Sequence, residues 1–288
     1  MLKKKVFIRF LVKFFNIQKY EFLFKKNRRI ARFQYLRCMV AVTLLGGGNL
    51  AQHLASAFFV ADGIELRQIY NRSLAPIAQW EEKVLVTDQL EALVETDVCI
   101  IAVNDQSIEA LSKKIAPFNG LLLHCSGNLN LDVLQANTRT GVLYPLQSFS
   151  KDKKTDFGRV PLCLEVSNTA DHPKLLFLAN SLSKKNIWMT TAQRKKLHLA
   201  AVFVNNFVNY MYTLGEEICE ENDIPFEILH PLIEETAHKI TVLPPSQAQT
   251  GPAIRKDTLT LEAHKKQLQH QKKEIYSLLT AALINTQK

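Results

Sequence analysis

The chain has 288 residues, 47% of them apolar, with a formal net charge of +9. That length and apolar share suit a soluble globular protein of one large or two ordinary domains, able to bury a core without staples. The basic excess would suggest nucleic acid, but it lies in residues 1–38, which hold 12 Lys and Arg against Glu21 for a net of +11, leaving residues 39–288 at −2. Nucleic-acid binding thereby loses its support.

Residues 1–38 alternate basic residues with Phe, Leu and Ile, and no uncharged run approaches the roughly 20 residues that span a bilayer. Arg9 and Lys13 break the apolar region that a secretory signal needs, and no small-residue cleavage site follows. Two readings stand: a basic amphipathic anchor for a membrane surface, or a leader upstream of a start at Met39. The second is preferred, because Met39 stands directly before the first strand. Cys38, Cys99, Cys125, Cys163 and Cys219 are scattered, with no CxxC pair. They suggest neither a disulfide framework nor a metal site, and are expected as buried thiols in a reducing cytoplasm.

From Met39 short apolar runs alternate with helical stretches, which implies a parallel sheet with crossover helices. Strands are expected at 39–45, 64–70, 84–87, 97–103, 120–126 and 141–146, with helices at 49–62 and 73–83. A polar stretch at 150–158 precedes two further strands that flank a helix at 171–184. Thereafter the pattern is helical, at 192–221, 225–240 and 257–285. The expected architecture is α/β, a doubly wound sheet over residues 39–190 followed by an all-helical domain over 191–288.

Gly46-Gly47-Gly48-Asn49-Leu50-Ala51 fits G-x-G-x-x-A between a strand and a helix. In such a loop Gly46 allows the tight turn, Gly48 lets main chain approach a pyrophosphate, and Ala51 lets helix and strand pack closely. The N–H groups of the helix start, at Asn49 and Leu50, face the phosphates. The second strand ends in Asn71-Arg72-Ser73, without the acid that would bind the ribose of NAD. Guanidinium and hydroxyl donors suit a 2′-phosphate instead, so the expected cofactor is NADP. Two more strand ends open on the same crevice: Val103, Asn104 and Asp105, and His124, Ser126 and Gly127. Val103 and Ser126 are taken from these as cofactor-binding candidates, although Asn, Asp, Ser and Gly also favour plain turns.

"LLGGGNLAQHLA", "IYNRS", "HCSGNLNLDVL", "YPLQSFS", "LHLAAVFVNNFVN", "PLIEET" and "QTGPAIRKD", in this order, resemble the bacterial Rossmann-like family with a carboxy-terminal domain of unknown function. That family is similar to pyrroline-5-carboxylate reductase and other NADP-dependent reductases. The resemblance covers residues 39 to about 285 and implies a Rossmann domain, NADP binding and a helical domain that supports homodimerisation. It names no substrate. The Lys-x-x-x-Asn helix pattern that related hydroxyacid reductases use for catalysis does not occur here.

His198, Asn205 and Asn209 are spaced by seven and four residues, which puts them on one face of a regular helix. Such a stripe needs polar partners or a ligand if buried. His198 is the candidate proton donor, with Asn205 and Asn209 beside it; a structural network between helices is the competing reading. Arg255 offers a bidentate partner for a substrate carboxylate. Asp257 is expected to cap the last helix, and Glu235 and Lys239 to form an i,i+4 ion pair. Together these point to an NADP-dependent oxidoreductase reducing a small carbonyl or imine metabolite between the two domains. The alternative is a non-catalytic NADP-binding sensor or dimerising interaction protein.

Overall fold

The computed structural model describes residues 39–286. The leader and anchor readings of residues 1–38 lie outside the described residues. The first compact unit ends at Ala201 and the second begins at Val202.

The first unit is built on an eight-stranded sheet in the order β3-β2-β1-β4-β5-β6-β7-β8. Its strands are β1 (Val40–Leu45), β2 (Ile64–Tyr70), β3 (Leu85–Thr87), β4 (Val98–Ile101), β5 (Leu121–His124), β6 (Thr140–Pro145), β7 (Leu162–Val166) and β8 (Asn186–Trp188). All neighbours run parallel except β6 and β7, which pair antiparallel through Tyr144 and Cys163 among others. A chain that reverses across an antiparallel pair needs no helical crossover, and here the polar stretch 150–158 makes that connection. The uniformly parallel sheet expected from the alternation is thus corrected at this one pair.

Residues of successive strand positions point to opposite faces and feed separate cores. Val42 and Leu44 of β1 pack with Leu54 and Phe58 of α1 (Asn49–Val60) and with Leu175 and Leu178 of α3 (His172–Leu182). Leu45, Cys99 and Ile101 face the other way, toward Ile108 of α2 (Asp105–Lys114) and Leu134. Helices on both faces make the sheet doubly wound, as the alternation of strands and helices implied. The helix expected at 73–83 is shorter and tighter, a 3₁₀ segment at Ala75–Trp80. Pro76 at its start withholds an N–H, and side-chain bonds from Gln52 to the Pro76 carbonyl and from Trp80 to Gln52 then hold it against α1.

The last helix of the first unit is α4 (Thr191–Ala201). The helical run continues as a π-helical segment, Val202–Phe207, and then α5 (Val208–Glu220). The single regular helix expected at 192–221 is therefore interrupted in its middle. In the second unit α6 (His230–Val242) follows a 3₁₀ turn at Phe226–Leu229. The helix expected at 257–285 is two, α7 (Thr258–Gln267) and α8 (His270–Asn285), separated at a left-handed His270 with φ of 43°. Helix-favouring residues run through both, so the sequence pattern alone could not mark the break. Asp257 caps α7, accepting the Thr260 N–H at 3.1 Å and its hydroxyl at 2.7 Å. The expected Glu235–Lys239 pair is not among the ion pairs of the described residues; exposed helical pairs contribute only about 0.3–0.5 kcal/mol, too little to hold two long side chains.

Among the described residues no helix is long and apolar enough to cross a membrane, and no group of His, Cys, Asp and Glu could hold a metal ion.

Candidate active site

β1 ends at Leu45, and the chain turns through Gly46, whose φ of 135° lies where only glycine rests without strain. The Gly46 N–H donates to the Tyr70 carbonyl of β2 at 2.8 Å. A Cβ at Gly46 would run into the Ala102 carbonyl beyond β4 and lie 3.4 Å from Val103 Cγ1. Val103 thus sits over the turn, as the strand-end argument required. Gly48 is the N-cap of α1 and offers no side-chain acceptor, and the first turn of α1 carries no acid. A Cβ at Gly48 would meet nothing within 4 Å. The helix therefore opens on free space with a positive dipole end and donors that its cap leaves unbonded, the surroundings an anion requires. Ala51 is buried where α1 crosses the sheet. The Asn49 side chain donates to the Phe149 carbonyl at 3.0 Å, tying the loop to the segment after β6.

Asn71 borders this space at the end of β2, since a Cβ at Gly47 would lie 3.0 Å from Asn71 Cγ. Its amide donates to the Ser73 carbonyl at 2.9 Å and shapes the turn. Arg72 and Ser73 are exposed, and Arg72 takes part in no ion pair among the described residues. No acid stands at 70–73 to oppose a phosphate there. The candidate residues Gly46, Asn71 and Val103 thus lie together around the ends of β1, β2 and β4.

At the end of β5, Ser126 is saturated. Its hydroxyl donates to Asp105 at 2.8 Å and accepts the N–H groups of Asn128 and Leu129, both at 3.0 Å; its N–H goes to His124 Nδ1 and its carbonyl receives Arg194. Its place here is to hold the loop 126–129 to α2 and α4.

The group that organises this region is Arg194, which sequence reasoning missed. It is fully buried on α4, pairs with Glu165 of β7 at 2.9 Å, and donates to the Ser126 and Leu129 carbonyls at 2.9 and 2.8 Å. One helical turn further, His198 is half-buried and its Nδ1 lies 3.1 Å from the Tyr144 hydroxyl of β6. The i,i+4 spacing of Arg194 and His198 was visible in the sequence, but an arginine followed by two lysines reads as a solvated face until its partners from β7 and the loop after β5 are known.

Asn205 and Asn209 belong to the second unit and are exposed. The argument that put them in line with His198 assumed a uniform 100° step, and the π-helical residues 202–207 break that step. Arg255 lies in a turn of the second unit, exposed and outside the ion pairs of the described residues. A groove of about 1,780 Å³ between α1, α3 and the 151–158 stretch is lined by Met39, His53 and Phe177 among others, and by none of the residues of the glycine turn.

Residues 41–123 match the model of the family described as NADP oxidoreductase, coenzyme F420-dependent, and residues 160–283 match a domain of unknown function, DUF2520. No curated protein matches. Among solved structures, the chain is similar to a candidate NADP oxidoreductase from Bacteroides fragilis, with a TM-score of 0.80 and 33% identity over 86% of this chain and 98% of that one. An imine reductase from Myxococcus stipitatus in complex with NADP+ matches with a TM-score of 0.59 at 14% identity, over 85% and 92% of the two chains. A 1-pyrroline-5-carboxylate reductase from Streptococcus pyogenes matches with a TM-score of 0.59 at 13% identity, over 86% and 98%. The last two likenesses are of fold. The Bacteroides fragilis protein is a relative along almost its whole length, and with the two matched regions it shows that this chain belongs to the Rossmann-like, NADP oxidoreductase-type family that carries DUF2520 at its carboxy-terminal end.

Proposed function

We propose that this protein is an NADP-dependent oxidoreductase that reduces a small carbonyl or imine compound. The observation that carries the reading is the start of α1, where an uncapped, acid-free helix end meets open space at Gly48. Asn49 and Leu50 N–H groups there suit a pyrophosphate, and Arg72 with Ser73 suits a 2′-phosphate that no neighbouring acid repels. Reduced nicotinamide, when bound, supplies a hydride. On the protein side, His198 holds the proton that the substrate oxygen or nitrogen needs as its carbon is reduced. The solved imine reductase in complex with NADP+ shares this fold, which is consistent with the cofactor proposed.

The second unit exposes Val204, Leu232, Leu259 and Leu278, each more than 60% accessible. Exposed apolar side chains of this kind suit an interface where they lie together, and the reading assigns them to a second copy in a homodimer. The four described cysteines, all free and buried, fit a reducing compartment.

Calorimetric titration with NADPH and NADH tests the core of this reading. Charge-assisted bonds of about 1.5–3 kcal/mol at the 2′-phosphate correspond to a preference for NADPH of about 10- to 150-fold. Arg72→Ala is expected to remove most of that preference. Equal affinities in the native protein would refute the choice of NADP, and no heat with either nucleotide would end the oxidoreductase reading.

A further inference from the structure

Tyr144 has no role in the reading so far, yet it is the described polar partner of His198. Its hydroxyl lies 3.1 Å from His198 Nδ1, and the two rings meet edge to face at 77° with centroids 6.0 Å apart. Gly127 closes the third side: a Cβ there would lie 2.7 Å from His198 Nδ1 and 2.8 Å from Tyr144 Cζ. The loop is held in that contact by Arg194, which grips the carbonyls on either side of Gly127, at Ser126 and Leu129. Three elements, β6, α4 and the loop after β5, therefore fix the pair. His198 Nε2, by contrast, has no hydrogen-bond partner among the described residues and is not one of their buried unpaired atoms, so solvent reaches it.

The direction of the bond follows from acidity. A phenol is a stronger donor than a neutral imidazole N–H, and an imidazole lone pair is a stronger acceptor than a phenol oxygen. Burial pushes the Tyr144 phenol up to about 12, with Cys163 and Asp105 acting the same way and Arg194 opposing. The hydroxyl keeps its proton through the neutral range.

Building on the assignment of His198 as proton donor, we propose that Tyr144 is its positioning residue. The Tyr144 O–H donates to Nδ1, which keeps the imidazole proton on Nε2, the nitrogen open to solvent. In the reduction the substrate carbon gains the hydride and its oxygen or nitrogen takes the Nε2 proton. The Tyr144 proton passes to Nδ1 as Nε2 gives up its own while water returns a proton to the Tyr144 oxygen, so the ring stays neutral and no phenolate is held at the site; the hydroxide goes to solvent, and exchange with water restores the proton to Nε2.

Nitrogen-15 histidine NMR on the full chain at pH 8 reads the tautomer directly, with His198→Gln identifying the signal. A proton on Nε2 with an accepting Nδ1 is expected in the native protein, and a mixture of tautomers in Tyr144→Phe. A proton on Nδ1 in the native protein, or an unchanged spectrum in Tyr144→Phe, would overturn the proposal. These outcomes hold whether or not a nucleotide binds, so a failure of NADPH binding sinks the oxidoreductase reading alone. In turnover, Tyr144→Phe is expected to lower kcat at least tenfold with KM and NADPH affinity within about twofold. An unchanged kcat would remove the relay.

Discussion

At Gly46 two constraints coincide, a φ of 135° and an Ala102 carbonyl that excludes any Cβ. Gly46→Ala is expected to destabilise the protein by about 2 kcal/mol or more, read from denaturant unfolding, with nucleotide binding lost as the turn shifts. His124 reports a different physics. It is fully buried at the end of β5, and that burial, with the charge of Arg194 behind it, pushes the imidazole down to about 3. The unfolded chain takes up this proton near pH 6.5, the folded one near 3. The stability tied to His124 is therefore complete above about pH 6.5 and is lost as pH falls from there toward 3. Unfolding free energies measured at pH 7 and pH 5 should show this fall, with a slope approaching about 1.4 kcal/mol per pH unit, and His124→Gln should flatten it. The glycine turn was legible because the sharp turn is a local demand written within six residues, although the Ala102 carbonyl that also excludes a side chain lies far along the chain. His124 read only as a residue at a strand end, because its titration depends on what surrounds it.

Among the elements, the start of α1 separates a binding site from a mere turn. Gly48 has extended backbone with φ of −75° and ψ of 179°, which any residue adopts, and room for a side chain. Gly48→Asp would give α1 a good cap and so preserve or raise stability by a few tenths of a kcal/mol. The same carboxylate would stand where phosphate is expected, so NADPH affinity should fall at least tenfold. A variant that lost stability and kept affinity would show the glycine to be structural. The helices after Thr191 teach the opposite lesson. Their apolar periodicity placed them, but the π-helical stretch at 202–207 and the break before His270 left no mark in composition. Spacing arguments for Asn205 and Asn209 inherit that weakness.

For the whole molecule, Arg194 is the residue on which the first unit's carboxy-terminal end depends, since it joins α4 to the ends of β5 and β7 through Glu165 and two carbonyls. Arg194→Met would leave Glu165 with only its Thr191 donors and the Ser126 and Leu129 carbonyls without the guanidinium, and should cost about 3–5 kcal/mol, seen as a lower midpoint in denaturant. The second unit's apolar surface predicts a dimer in sedimentation analysis, and Leu278→Glu together with Leu232→Glu should shift it toward monomer without unfolding the sheet. A native protein that sediments as a monomer would remove that role.

From its residues alone, this chain was committed to a parallel-type α/β core behind Met39, to a glycine turn opening a helix, and to a strand end without an acid. Each of these depends on neighbours a few positions apart, whose sterics and periodicity operate before the chain folds. The antiparallel pairing of β6 with β7, the burial of Arg194, and the meeting of Tyr144, Gly127 and His198 were decided only in three dimensions. Their partners lie 17 to 71 positions apart in the chain, and desolvation, which turns an ordinary arginine or histidine into an organising group, acts only once those distant segments exclude water together.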